Sequence, residues 1–368
     1  FLKVVDQGEV NRTLVEICKA NSRLPVDMEG DIYSLVACND VGCRRLEATM
    51  REFGMTDLDA IGRHIVETSR AAVRKELAKV PPGTYRYAMT IDGYEAPIEL
   101  AASVTIGPEG VVVDFDGTSS QQSRGINVPL AYTTAYTCFG LMCAVSPRVP
   151  NNAGSLGCFE VTAPAGTILN AGYPAPVSSR HIIGQMLPDV VFGCLRQAVP
   201  ERCPAEGTSC LWNMTFRGPR AGANDNRYGF AITVTSNGGT GGRPTKDGLN
   251  ATAFPSGVKG TPVEIVEQMT PLLFWKKELR PGSGGRGTYR DGHGQIIEVE
   301  NAEAMPFELL AAFDRITYPP RGAAGGTDGA PGGLTTSKGR TLQGKGFQKL
   351  DGDERLVVRT PGGGGWGE

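Results

Sequence analysis

Through roughly the first eighty residues, apolar positions recur at helical spacing. In EVNRTLVEICKA, Val10, Leu14, Ile17 and Cys18 fall on one face. A longer stripe runs through DIYSLVACNDVGCRRLEATMREFG at positions 32, 35, 36, 43, 46, 50 and 53, with Asn39 inside it. TDLDAIGRHIVETSRAAVRKELAKV opens a third helix, with Thr56 as N-cap and Asp59 at the capping-box position. Leu58, Ile61, Ile65, Ala72, Leu77 and Val80 would face inward, and Pro81, Pro82 and Gly83 stop the helix.

The period then drops to two. TYRYAMTI alternates, and IELAASVTIGPEGVVVDFDG is a hairpin turning over Gly107 to Gly110. VPLAYTTAYTCFGLMCAV has the length and apolar density of a buried helix, with Pro129 in its first turn. GCFEV and GTIL are expected to be short strands. RHIIGQMLPDVVFGCLRQAV is expected to be one helix, with Ile183, Met186, Val190 and Cys194 on one side. Beyond residue 207 the pattern is almost all β: SCLWNMTF, YGFAITVT, PVEIVEQM, PLLFWKKELR, GQIIEVE, FELLAAFDRI and ERLVVRT, joined by glycine loops. The expected class is α+β: a helical segment over 1–83, a mixed region over 84–206 and a β-rich, glycine-looped region over 207–368.

Composition narrows the function classes. A net charge of −2 gives no global field for nucleic acid or anionic membrane, and Lys and Arg are scattered. No apolar run approaches the roughly 18–20 residues of a membrane helix, and no signal peptide opens the chain. The nine cysteines form no CxxC pair and several sit on apolar faces, as reduced cytoplasmic thiols do. The chain opens on Phe1 rather than Met, which suggests a fragment or a processed product. Glycine is in excess, with 50 residues concentrated after position 236.

Two nucleotide-loop look-alikes fail on context. GRTLQGKG (339–346) places Gly346 where a Ser or Thr would hold magnesium, and no helix opens there. GSGGRG (282–287) lacks the strand before and the helix after that a dinucleotide fold needs. No HExxH, GxSxG or metal-spaced cluster occurs, and the three histidines lie far apart. His64 reads as a surface or structural residue and His293, in YRDGHGQ, as part of a turn.

His181 sits at a helix start that Ser178 or Ser179 could cap, where the imidazole should be neutral and able to pass a proton. Arg180 beside it could pin a carboxylate or phosphate. The alternative is a capped helix start with a half-buried histidine. Asp114 and Asp116 share one face of a strand end, as an acid–base or cation pair or as a solvated face closing a turn. Asn151 and Asn152 could orient a carbonyl or stabilise a turn. SNGGTGGRPTKDG (236–248) could be an anion nest with Arg243 and Lys246 adding charge, or a flexible turn, and its flanks are strand-like rather than helical.

Taken in order, EGDIYSLVACNDVGCRRLEATMREFG, DFDGTSSQ, VPNNAGSLGCFEV, PAPVSSRH, SNGGTGGRPTKDG, TPVEIVE, KKELRPGSGGRGTYRDGHGQ and TPGGGGWGE resemble the hydantoinase B/oxoprolinase family over essentially the whole chain. The resemblance implies a cytoplasmic B-type subunit of a hetero-oligomer, working with an A-type subunit of actin-like ATPase fold. That partner would bind ATP with Mg and phosphorylate a carbonyl oxygen of a small-molecule substrate. Ring opening of a hydantoin, 5-oxoproline or lactam is the leading implied activity. Carboxylation of a ketone, of the acetone or acetophenone type, is the alternative, and a non-catalytic scaffold is a third. Family members carry an N-terminal third ahead of the point where Phe1 falls, with a histidine- and aspartate-containing motif tied to a divalent metal in some of them, so no metal ligand is assigned in this chain. Carried onto this sequence, the family pattern makes His181 a proton shuttle, Asp116 a carboxylate positioning water or a cation, and Asn152 a carbonyl-orienting group. Arg180 and Lys246 would contact an anion, together with the loop residues Gly238, Gly239, Gly241, Gly242, Arg243 and Asp247.

Overall fold

The computed structural model describes residues 2–22, 24–222 and 229–368, so Phe1 and Tyr228, which opens an expected strand, lie outside the described residues. The chain divides into two units, Phe1–Ile65 and Val66–Glu368. Its class is α+β, as the alternating periods imply. No helix among the described residues is long and apolar enough to cross a membrane.

In the first unit, β1 (Val5–Asp6) pairs with β2 (Glu9–Val10) and leads into α1 (Arg12–Ala20). Asn11 caps α1, its side chain accepting from the Leu14 amide at 3.1 Å. The second helix, α2, covers Pro25–Glu52 and so begins ahead of the apolar stripe that opens at Ile32, because proline in a first turn gives up an N–H that has no helical acceptor anyway. Lys19 and Glu29 tie α1 to α2 at 2.9 Å. The expected inward faces need correction. On α1 the buried residue is Val15, while Ile17 is exposed. No residue of α2 is buried, and Leu35, Leu46 and Phe53 are exposed. Within its own unit this 28-residue helix packs against the nine-residue α1, which is too short to cover it.

The third helix, α3 (Asp59–Leu77), starts later than Thr56, with the Asp57 carboxylate accepting from the Asp59 amide at 2.9 Å. Ile61 and Ile65 are exposed, as is Leu58 before them, whereas Val73, Leu77 and the following Val80 are buried in the core of the second unit.

The second unit contains three four-stranded sheets whose buried side chains form one continuous core. In the first sheet β3 (Gly83–Ile91), β4 (Ile98–Ile106) and β5 (Val111–Asp114) are antiparallel neighbours, and β6 (Phe159–Thr162) adds in parallel to β5. The β5–β6 crossover carries α4 (Leu130–Val145) and α5 (Ala153–Leu156). GTIL is a turn rather than a strand, although Ile168 and Leu169 are fully buried. The expected helix over 180–199 breaks into α6 (His181–Gly184) and α7 (Leu187–Leu195), because Pro188 cannot supply an interior helical N–H. All nine residues of α7 are buried, as in a helix that is apolar on every side.

Two further sheets follow. One orders β13 (Lys345–Leu350), β11 (Phe307–Ala312), β7 (Trp212–Gly218) and β8 (Phe230–Ser236). The other orders β12 (Gly333–Thr336), β14 (Leu356–Arg359), β10 (Gln295–Asn301) and β9 (Leu272–Leu279). PVEIVEQM, expected to be a strand, is the helix α8 (Val263–Met269), which Pro262 leads into. The short strands β12 and β13 escaped the periodicity. GRTLQGKG runs into β13 rather than a helix, and GSGGRG lies in coil after β9, in keeping with their rejection as nucleotide loops.

Candidate functional site

The glycine loop at 238–242 is neither an open nest nor a flexible turn. Its four glycines are buried, and the Gly239 and Gly242 amides donate to the carbonyls of Pro361 (3.0 Å) and Gly364 (2.8 Å). Three glycine-rich segments lie backbone against backbone here: Gly292 donates to Thr240 at 2.9 Å and Gly363 to Gly292 at 3.3 Å. A Cβ at Gly239 would lie 1.6 Å from the Gly292 carbonyl oxygen, a separation that no side chain tolerates. With those amides taken, the loop does not fit a phosphate chain.

Beside this glycine core a cavity of about 390 Å³ is walled by Phe192, Phe254, Cys143, Arg243 and Lys246, with Asp189 reaching it from α7. Phe254 lies 6.3 Å from Phe192, ring centre to ring centre. The Arg243 guanidinium donates to the Asp247 carbonyl through Nε at 2.9 Å, which orders the rim. A larger cavity of about 730 Å³ follows the end of α3, but Glu76 and Lys79 at its edge satisfy one another at 2.7 Å. Of these two, the smaller one holds a buried carboxyl group with a displaced pKa.

Asp189 is 2% exposed and accepts from Ser209 Oγ at 2.6 Å and the Gly207 amide at 3.1 Å, with Arg315 Nη2 at 3.4 Å. Burial pushes its carboxyl up to about 6, against the pull of Arg315 and with the push of Glu206. Glu206 receives Arg315 at 3.0 Å, Arg321 at 2.7 Å and the Tyr87 hydroxyl at 2.6 Å. Burial alone would raise Glu206, but the two guanidiniums overcome it and hold the group at about 2. The pair thus separates: Glu206 is a fixed anion, and Asp189 can exchange a proton near neutrality.

Three of the residues nominated from sequence meet at this cavity, and the others do not line it. Gly241, Arg243 and Lys246 line it. The Oδ1 of Asp247 accepts from the Arg290 amide at 2.9 Å and so fixes the neighbouring 290–293 segment. Asn152 is spent as the cap of α5, accepting from Gly154 and Ser155 and donating to Ser69 Oγ at 2.8 Å. Asp116 is exposed, and its amide donates to Asp114 Oδ1 at 3.3 Å.

His181 is half-buried and opens α6, but no Ser178 or Ser179 side chain caps that helix. Its Nε2 lies 3.1 Å from Asn213 Nδ2, and Thr235 Oγ1 donates to Asn213 Oδ1 at 2.8 Å, which turns the amide NH₂ toward the ring. The ring is therefore a neutral acceptor at Nε2. Burial lowers its pKa and Arg180 lowers it further. Arg180 lies over the Tyr132 ring at 5.6 Å and bonds the Val177 carbonyl at 3.2 Å.

Asp189, Glu206, Arg315 and Arg321 went unnoticed in the sequence because no short spacing links them. Among the described residues, no three or more His, Cys, Asp and Glu side chains gather as metal ligands.

Comparison with known proteins gives this geometry a context. The chain is 30% identical over 355 residues to the B-type subunit of a putative D-/L-hydantoinase from Pseudomonas sp. (strain NS671), covering 92% of this chain and 59% of that protein. It is 28% identical to 5-oxoprolinase 1 of Arabidopsis thaliana, covering 93% of this chain and 27% of that protein. It therefore spans less than two thirds of these relatives. The ATP-dependent caprolactamase of Pseudomonas jessenii superposes over the whole chain with a TM-score of 0.84 at 24% identity, covering 66% of that structure. Nucleotide-free acetone carboxylase does so with a TM-score of 0.79 at 16% identity, covering 56% of that structure. Residues 1–368 match the family model described as hydantoinase B/oxoprolinase, and the chain belongs to that family.

Proposed function

We propose that this chain is the B-type component of an ATP-dependent cyclic amide hydrolase that opens a hydantoin, 5-oxoproline or lactam ring. The observation that carries the reading is the 390 Å³ cavity, which sets a buried carboxyl group, Asp189, between an aromatic wall and a cationic rim. ATP, held with Mg by an A-type ATPase partner, would supply the activated carbonyl. Phe192 and Phe254 seat the apolar edge of the ring, and Arg243 and Lys246 hold the negative charge that builds on the carbonyl side. Water adds to the carbonyl carbon as Asp189 takes its proton. The ring C–N bond then breaks as the leaving nitrogen takes up that proton, and the acyl phosphate left on the former carbonyl is hydrolysed by a second water, which releases phosphate and the carboxylate. The exposed apolar residues of α2 support the reading that a second polypeptide completes the assembly. His181 remains a proposed proton shuttle, with Arg180 beside it.

The test is substrate-coupled ADP release with the A-type partner present. Release with a cyclic amide, indifferent to bicarbonate and reduced by Asp189→Asn, is the expected result. Release that needs both a ketone and bicarbonate would place the protein among the carboxylases. Unaltered turnover in Asp189→Asn would remove Asp189 from the chemistry.

A further inference from the structure

A separate cavity of about 470 Å³ is lined by Gly284, Gly285, Arg286, Arg290, Asp291 and His293. Asp291 is 4% exposed, and no side chain among the described residues donates to its carboxyl group, which has only the backbone N–H of Gly363 beside it. Nδ1 of His293 is likewise buried and unpartnered. A Cβ on Gly284 would stand 1.7 Å from Asp291 Oδ1 and 3.3 Å from His293 Nδ1, so the two groups approach one another against the glycine backbone. The segment is held in place by its backbone. Arg290 N–H donates to Asp247 Oδ1 at 2.9 Å and His293 N–H to Asn250 Oδ1 at 2.7 Å. Arg286 is pinned through Thr327 Oγ1 at 2.8 Å. Neither guanidinium has a side-chain partner among the described residues, and both line the same cavity.

A buried carboxyl group and a buried ring nitrogen that no side chain pairs are an unmet demand, since polar groups taken out of water are nearly always paired. An ammonium group carries three N–H donors and a positive charge, which suits the Asp291 carboxylate and the unpartnered His293 Nδ1 together. The free guanidiniums of Arg286 and Arg290 offer forked donors of the kind that grip a carboxylate. We propose that this cavity binds a free amino acid, its ammonium on Asp291 and His293 and its carboxylate on Arg286 and Arg290. The ligand class follows from the cavity alone and stands whether or not the hydrolase reading does. It is also the class that ring opening of a cyclic amide yields.

While the ammonium is absent, burial pushes the Asp291 carboxyl up to about 8. At pH 7 the arriving ammonium would therefore displace a proton, and the binding heat would depend on the ionisation enthalpy of the buffer.

The test is titration calorimetry on the intact protein without ATP, using L-glutamate and 6-aminohexanoate, with glutarate and n-butylammonium as single-charge controls. Saturable binding of at least one amino acid, with proton release at pH 7 and much weaker binding of both controls, is expected. The isosteric Asp291→Asn, and the exposed-site changes Arg286→Ala and Arg290→Ala, should each weaken it roughly 10- to 100-fold. Circular dichroism of each variant confirms that the fold is retained. Glutarate binding as tightly as glutamate, or amino-acid binding undisturbed in Asp291→Asn, would overturn the proposal. So would Mn²⁺ or Zn²⁺ occupying Asp291 and blocking glutamate. Absence of amino-acid binding alongside intact ADP release would sink this inference and leave the hydrolase reading standing.

Discussion

Arg315 is 1% exposed and its guanidinium spans two buried carboxyl groups, Glu206 at 3.0 Å and Asp189 at 3.4 Å. Arg315→Met keeps much of the stem volume and removes the charge. Glu206 would lose one of the two guanidiniums that hold it at about 2, with Arg321 still in place, at a cost of roughly 3 kcal/mol, the upper range for a hydrogen bond to a charged group. Asp189 behaves differently because it already titrates at about 6. Once further penalised it takes up a proton, so its share at pH 7 is capped at about 1 kcal/mol. The total, about 4 kcal/mol, agrees with the roughly 3–5 kcal/mol for removing one partner of a buried ion pair.

Urea unfolding followed by tryptophan emission reads the loss directly, since Trp212 is fully buried and stacks on Phe313 at 4.4 Å beside this cluster. The midpoint should fall by roughly 1 to 1.5 M. The sign of the pH effect follows from the raised pKa of Asp189. Below about 6 the folded wild type already holds that proton, so at pH 5 the Asp189 share vanishes and the penalty shrinks by about 1 kcal/mol. A loss under about 1 kcal/mol, typical of a surface ion pair, would refute the reasoning. So would the same loss at pH 5 and pH 7.

Asn152→Ala should lower stability by roughly 1 kcal/mol through the lost cap while leaving kcat unchanged below the melting range; a large fall in kcat would restore its carbonyl-orienting role. Phe254→Ala should raise KM roughly tenfold with little change in kcat, because it removes apolar wall and no charge-bearing group. Gly239→Ala should cost about 3 kcal/mol or more in chemical denaturation, since its Cβ would meet the Gly292 carbonyl at 1.6 Å. The His181 pKa is lowered in the fold, so the unfolded chain binds the extra proton first and stability is lost as pH falls below about 6.5. His181→Gln should flatten that acid limb in a thermal-shift series.

The strands with strict alternation were legible because burial on one face imposes period two: Ile98, Leu100, Ala102, Val104 and Ile106 of β4 are all buried. Helical spacing identified α1 to α3 equally well, but periodicity reports a face that wants cover without saying whether the chain supplies it. That is why Leu35, Leu46 and Phe53 were expected inside and lie outside. The single helix expected over 180–199 failed at Pro188, where apolar density outweighed a backbone rule that was visible in the letters. Asp189 and Arg315 lie 126 residues apart and are joined only by the tertiary fold, so no window on the sequence could have paired them.

The glycines carry the deeper lesson. A run such as SNGGTGG invites a choice between a phosphate nest and a flexible turn, and both readings ask what the amides are free to do. Here Gly239, Gly292 and Gly363 are small so that three backbones can lie against one another, with their amides turned to neighbouring carbonyls. Packing of that kind leaves no side chains in the glycine layer itself. Chemistry has to stand at its margins, and the charged groups are found there: Arg243 and Lys246 line one cavity, Arg286, Arg290 and Asp291 the other. The glycine excess therefore marked the right region for the wrong reason. What it supplies is close backbone packing, and the proposed sites stand beside it.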